Sequence, residues 1–89
     1  MKGRWKDMNY NEELDCWVVF LGDNSGYKMR CGEWFELHLG YGQILSCRLE
    51  LGRDWYILTG RNEVRFYLKK NETYQVDLSI IWEACELLP

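Results

Sequence analysis

The chain has 89 residues, a length typical of one domain with one small core. Apolar residues make up 47% of it and charged residues 28%, a balance that excludes simple disorder. The net charge of −3 argues against a nucleic-acid binder that relies on a broad basic field. Aromatic residues reach 16%, so a domain this small is expected to leave some of them on its surface.

Targeting and membrane segments are not expected from the apolar runs. A secretory signal needs about 7–15 consecutive apolar residues, and a membrane-spanning helix needs about 20. The longest apolar run, over residues 16–21, is too short for either. We therefore expect a cytoplasmic protein with no membrane partner.

The four cysteines, Cys16, Cys31, Cys47 and Cys85, are spread widely along the chain. Zinc sites usually contain cysteine pairs separated by about two to four residues, and here His38 is the sole histidine. A disulfide framework needs an oxidising compartment, which the missing signal argues against. We expect reduced, largely buried thiols and no cofactor.

Turn-forming residues recur at short intervals, a rhythm that is typical of all-β proteins. They occupy residues 22–26, 40–42, 52–54, 60–63 and 70–73. Between them, apolar and polar residues alternate with period two, which places alternate side chains on one face of a strand. The sequence therefore predicts a series of short antiparallel strands.

In chain order, residues 3–21 predict an N-terminal hairpin. Its edge strand covers residues 3–8, turns through residues 9–14, and leads into a central strand at residues 16–21 that is apolar on both faces. A strand at residues 34–39 follows. Its inward residues are Phe35, Leu37 and Leu39, and its outward residues are Trp34, Glu36 and His38.

Four further strands are predicted downstream, at residues 44–51, 55–59, 64–69 and 74–80. The second is apolar on both faces and therefore central. In the other three, the residues expected to point inward are Leu45, Cys47, Leu49, Leu51, Val64, Phe66, Leu68, Tyr74, Val76, Leu78 and Ile80. Gln75, Asp77 and Ser79 are expected to point outward.

The predicted architecture is one all-β domain over residues 1–89, in which about five to six antiparallel strands form a small, partly open barrel. It comprises the hairpin at residues 3–21, a barrel core at residues 27–78 and a tail at residues 79–89. In the tail, Ile81, Ala84, Cys85 and Leu88 share one face at helical spacing. This spacing predicts a short C-terminal helix docked on the barrel, with Trp82 shielding one open end.

One motif connects the chain to a known family. The turn Cys31-Gly32-Glu33, the glycine turn at residues 40–42, Arg48-Leu49-Glu50, and the strands at residues 55–58 and 75–78 resemble a bacterial family of small proteins of unknown function. That family is common in Firmicutes and on phages, plasmids and conjugative elements. The resemblance covers about residues 27–78, with Met29 in place of the usual leucine and an added tail. It implies an SH3-like barrel and no established activity.

An enzyme is not expected. His38 could act as a general base for Cys31 or Cys47 as the nucleophile, but the sequence indicates no third residue to orient the pair. The glycines at residues 40–42 join two strands and open no helix, so they do not form a phosphate-binding loop. A Cys/His enzyme or zinc protein therefore stays the least favoured alternative.

Binding of single-stranded nucleic acid is the second alternative. Small barrels present stacking aromatic residues beside basic ones, and the predicted outer faces carry such residues. Acidic side chains lie among them, however, and would repel phosphate. These are Glu36, Glu50 and Asp77.

The favoured function is a non-catalytic interaction module that binds another protein, because exposed aromatic and arginine side chains dominate binding energy at interfaces. The competing explanation is that several aromatic residues merely cap the ends of the barrel. Membership of mobile elements would suit a regulator or inhibitor of a host system, such as an anti-CRISPR protein. The candidate partner-binding residues are Trp34, His38, Arg48, Arg65, Tyr67 and Trp82.

Overall fold

The computed structural model describes residues 5–79, which form a single eight-stranded antiparallel sheet. The order of the strands across the sheet is β3-β2-β1-β8-β4-β5-β6-β7. The strands are β1 (Lys6–Asn11), β2 (Cys16–Gly22), β3 (Ser25–Lys28), β4 (Trp34–Gly40), β5 (Gln43–Leu51), β6 (Trp55–Thr59), β7 (Val64–Tyr67) and β8 (Tyr74–Asp77). The all-β prediction is confirmed, and the expected five to six strands are too few.

The strand missed by the sequence analysis is β3. The turn predicted over residues 22–26 is only two residues long, since Asp23 and Asn24 have φ of 53° and 63°. Two successive residues with positive φ are typical of the tightest hairpins, whose twist matches that of the flanking strands. The chain therefore reverses early, and Gly26 and Tyr27 already pair with β2.

The first strand was also misplaced. β1 covers Lys6–Asn11 and pairs with both β2 and β8, so it lies inside the sheet and is not an edge strand. The strand is mostly polar, and Met8 is its only fully buried side chain. Interior strands that face solvent on one side need few apolar residues. β2 and β6 each have a strand on both sides, as expected of central strands.

The connection between β3 and β4 requires the sheet to curl. Met29 donates its backbone N–H to Trp17 of β2, and three residues later Gly32 donates to Leu49 of β5. In a flat sheet with strands ~4.8 Å apart, the positions of β3 and β4 would be about 19 Å apart. Three Cα–Cα steps span at most about 11 Å. The nearly equal extents of the molecule, 34 × 33 × 31 Å, agree with a strongly curved sheet.

The concave side of this curved sheet is the hydrophobic core. Every strand except β3 and β7 contributes a buried side chain, and Trp17 at the centre meets Tyr10 and Tyr74 edge-on, with centroids 5.5 and 5.6 Å away. The buried apolar residues are Met8, Trp17, Val19, Met29, Phe35, Leu37, Cys47, Leu49, Trp55, Ile57, Leu68, Val76 and Leu78. The prediction that the inward residues of the central strands are buried is thus largely confirmed.

Four residues predicted to be buried are exposed instead. Leu39 and Leu51 lie towards the ends of long strands, and Val64 and Phe66 lie on β7 at the edge of the sheet. The alternation places them on the concave side, but the layer of core side chains does not extend that far. Periodicity gives the face of a strand on which a residue lies, and not whether that part of the face is covered.

The prediction for Asp77 is wrong in the opposite direction. This residue was predicted to be exposed, and it is only 4% accessible. It lies on β8, between β1 and β4 in the middle of the sheet. Its carboxylate accepts hydrogen bonds from the backbone N–H and the hydroxyl of Ser79, at 2.9 and 2.6 Å. These bonds offset part of the cost of burying a charge.

The predicted C-terminal helix, including Trp82 and Cys85, lies outside the described residues, as does the start of the N-terminal hairpin at residue 3. Within residues 5–79, no helix is long and apolar enough to cross a lipid bilayer.

The crossing turn at residues 29–33 contains a glycine whose substitution should lower the stability of the protein. Gly32 has φ of +90°, where an L-residue is strained, so Gly32→Ala should lower the free energy of unfolding by about 1–2 kcal/mol. Gly52→Ala is the matched control, since its added methyl would lie at an ordinary 3.5 Å from Tyr56 and its φ is not positive. Denaturant titration should show loss of stability in the first variant only. Equal effects would contradict the role given to Gly32.

Candidate interaction surface on the outer face of the sheet

The convex face of strands β4 to β7 brings together four of the predicted site residues. Trp34 of β4 pairs in register with Arg48 of β5, Arg48 pairs with Leu58 of β6, and Leu58 pairs with Arg65 of β7. Directly opposed residues of antiparallel strands point to the same side of the sheet. The row across the outer face therefore consists of Trp34, Arg48, Leu58 and Arg65.

A second row lies beside the first. In it, Glu50 of β5 pairs with Tyr56 of β6, and Tyr56 pairs with Tyr67 of β7. The two rings are tilted, with centroids 5.4 Å apart. Tyr67 is 52% exposed, so it remains available to a binding partner.

Arg48 is held by several neighbours. Its Nε lies 2.6 Å from the carboxylate of Glu50, and its Nη2 lies 3.8 Å from that of Glu63. Its guanidinium also lies 5.7 Å from the centre of the Trp34 ring. The charge of Arg48 is thus largely compensated, while Trp34 stays 47% exposed.

Arg65 has different surroundings. Its guanidinium lies 4.6 Å from the centre of the Tyr56 ring, and it donates a 3.4 Å hydrogen bond to the Tyr67 hydroxyl. That hydrogen bond, together with the electrostatic effect of the Tyr56 and Tyr67 phenols, raises the pKa of the Arg65 guanidinium above its ordinary value. Within residues 5–79, Arg65 forms no ion pair with a carboxylate. Among the described residues, its positive charge therefore has no carboxylate partner.

We name these residues the aromatic–arginine patch: Trp34, Arg48, Tyr56, Leu58, Arg65 and Tyr67. Tyr56 and Leu58 were missed as site residues because the strand at residues 55–59 is apolar on both faces and shows no alternation. The pairing of Leu58 with two arginines is the signal that identifies its face, and it requires the register between strands. The patch offers flat rings and guanidinium groups to a partner.

His38 lies apart from this patch. It is on the same face of β4 as Trp34 but four residues further along, or about 13 Å at the usual rise of a strand. Its ring meets Trp5 edge-on at 4.9 Å, and its Nδ1 accepts the backbone N–H of Gly40 at 3.2 Å. His38 is therefore engaged locally, and Trp82, the remaining predicted site residue, lies outside the described residues.

The structure separates Cys47 from His38, one of the two pairs considered for Cys/His chemistry. Cys47 points into the core and is fully buried, whereas His38 lies on the outer side of the sheet. Burial raises the pKa of the Cys47 thiol to about 12, so this sulfur holds its proton at neutral pH. Among the residues that the structure describes, no group of three or more metal-ligating side chains comes together.

The fold and the patch define a small all-β domain with an aromatic and arginine-rich sheet face. The chain belongs to the family described as a domain of unknown function, DUF5348, whose model matches residues 6–78. Neither the search of curated proteins nor that of solved structures found a match. The expected membership of a family of unknown function is thus confirmed, and the family match extends from β1 to the end of β8.

Two of the described cysteines, Cys31 and Cys47, should differ sharply in reactivity. Cys31 is exposed and should react quickly with a thiol reagent at pH 8, while buried Cys47 should react only after unfolding. At pH 10 Cys47 should still be protected in the folded protein, because its thiol is buried and burial raises its pKa to about 12. Mass spectrometry of the labelled peptides measures both rates. Fast labelling of Cys47 in the folded protein would contradict this assignment.

Proposed function

We propose that this chain is a non-catalytic interaction module that binds another protein through the aromatic–arginine patch. The observation that carries the proposal is the pair of neighbouring residue rows on β4 to β7, which bring aromatic rings and guanidinium groups together. Aromatic and arginine side chains are the residue types that contribute most to interface energies.

The side chains of the patch hold one another in place, and this supports a binding function. The ring of Tyr56 contacts both the Arg65 guanidinium and the ring of Tyr67, and Trp34 is covered in part by Arg48. Side chains that neighbours already hold in place lose less conformational entropy when a partner binds. A rigid sheet below them adds to this preorganisation.

Charge favours a protein over a nucleic acid as the partner. Glu50 and Glu63 both contact Arg48, so the patch carries acidic oxygens beside its basic groups. A phosphate backbone would be repelled by these carboxylates, whereas a protein surface can match charges of both signs. Single-stranded nucleic acid remains the alternative, supported by the stacking geometry of Tyr56, Arg65 and Tyr67.

We further propose that the curved sheet is an SH3-like barrel and that the protein acts in the cytoplasm as a regulator or inhibitor encoded on a bacterial mobile element. The tight crossing at residues 29–33 supports the barrel, because it brings β3 towards β4. The cellular role has the resemblance to the mobile-element family as its support.

The test compares three forms of the chain as bait in bacterial lysate, with and without nuclease treatment. The unchanged chain should retain a specific protein, and Trp34→Ala should weaken that retention about ten-fold or more if Trp34 is an interface anchor. Tyr41→Asn is the matched control, because Tyr41 is a fully exposed aromatic residue in the β4–β5 turn with φ of 53°. Asn tolerates this conformation, so the control should bind normally.

Unchanged melting temperatures would show that all three forms are folded. Loss of the captured protein on nuclease treatment, together with salt-sensitive binding of oligonucleotides, would overturn the proposal in favour of the nucleic-acid alternative. Equal capture by the Trp34→Ala variant would exclude the aromatic–arginine patch as the binding surface.

A further inference from the structure

β7 forms one edge of the sheet, and the direction of its free backbone groups can be assigned. Leu68, directly after β7, donates its backbone N–H to the carbonyl of Trp55 in the direction of β6. Backbone groups alternate in direction along an antiparallel strand. Val64 and Phe66 therefore also turn their N–H and C=O groups to β6, while those of Arg65 and Tyr67 point away from the sheet.

The side chains of β7 leave this edge open to pairing. All four are exposed, and those on the concave side are apolar, with Val64 59% and Phe66 48% accessible. Natural edge strands are commonly protected by a proline, a bulge or a charge on the inner face. β7 contains no proline or inward charge and pairs with β6 in an unbroken register. Within residues 5–79, no strand pairs with its outer side.

We propose that β7 pairs antiparallel with β7 of a second copy of this chain, around a two-fold axis at Phe66. In this register, Arg65 of each chain lies opposite Tyr67 of the other. These are the residues whose backbone groups point to the free edge, so the two pairs can form hydrogen bonds in both directions. Phe66 meets its counterpart on the concave side, where both rings lose contact with water.

The side chains select this register over its neighbours. A shift of two residues in one direction places Arg65 opposite Arg65, and a shift in the other places Arg65 opposite Lys69. Like charges in directly opposed positions are destabilising. A shift of one residue would oppose the concave face of one chain to the convex face of the other. The pairing of Arg65 with Tyr67 avoids these conflicts and repeats a contact that each chain already makes within itself.

This complementarity of β7 with itself favours a second copy over an unrelated extended peptide. The alternation of apolar and polar residues is matched at each position: Val64 would face Leu68, and Phe66 would face Phe66. Arg65 and Tyr67 belong to both surfaces, whereas Trp34 of the aromatic–arginine patch lies on β4, three strands away from this edge. The dimer would place two aromatic–arginine patches side by side on one continuous surface.

Disulfide formation tests the axis directly. In the Phe66→Cys variant, the two introduced thiols face each other at a pair without backbone hydrogen bonds, where opposed Cα atoms are closest, at about 4.5 Å. Mild oxidation should therefore link most chains at position 66. Arg65→Cys is the matched control, since it is a neighbouring exposed position that would lie opposite Tyr67. Because Cys31 is exposed in both variants, peptide mapping must identify the linked position.

Sedimentation of the full chain gives the second measurement. The unchanged chain should show a concentration-dependent dimer, and Tyr67→Pro should raise its dissociation constant about ten-fold or more, because proline removes an edge-facing N–H but no bond to β6. Trp34→Ala should dimerise normally. A monomer at every concentration up to millimolar, or equal linking of the Phe66→Cys and Arg65→Cys variants, would overturn the proposal. Because Tyr67 also belongs to the aromatic–arginine patch, Trp34→Ala separates the two proposals: this variant should lose partner capture and keep the dimer.

Discussion

The short crossing of the chain between Met29 and Gly32 is the constraint on which the curved sheet depends. Met29 is bonded to Trp17 of β2, and the next residues are bonded to Leu49 of β5, so backbone hydrogen bonds fix both ends of the crossing. The Glu33 carboxylate also accepts hydrogen bonds from the Arg30 backbone and the Tyr27 hydroxyl. A sheet joined in this way cannot be flat, and its curvature makes the concave side a core and places the aromatic–arginine patch on the convex side.

The convex side then has to carry the aromatic residues that the core cannot hold. On β4 to β7 these rings do not lie loose on the surface, because arginine side chains from neighbouring strands cover them in part. The long apolar stem of an arginine can pack against a ring while its charged end stays in water. This arrangement limits the contact of the rings with water and keeps them accessible to a larger surface.

Much of the local structure could be predicted from the sequence, since period-two alternation correctly gave the buried residues Phe35, Leu37, Cys47 and Leu49. Three features could not be predicted from the alternation. β3 was hidden inside a glycine-rich turn, Asp77 is buried although the alternation places it on the outer face, and the exposure of Phe66 depends on the sheet ending at β7. The aromatic–arginine patch was found in part, because Tyr56 could be assigned to it only through the register between strands.

The position of β8 has a consequence for how the protein is made. This strand comes last in the described chain, yet it lies between β1 and β4 and joins β1–β3 to β4–β7. Lys6 pairs with Val76 across nearly the whole sequence, and such distant pairings slow folding because a long loop must close first. During synthesis, the earlier strands can form only two separate hairpin assemblies with unpaired inner edges. The sheet becomes one cooperative unit when β8 has left the ribosome, so until then the nascent chain is exposed to aggregation and to proteases.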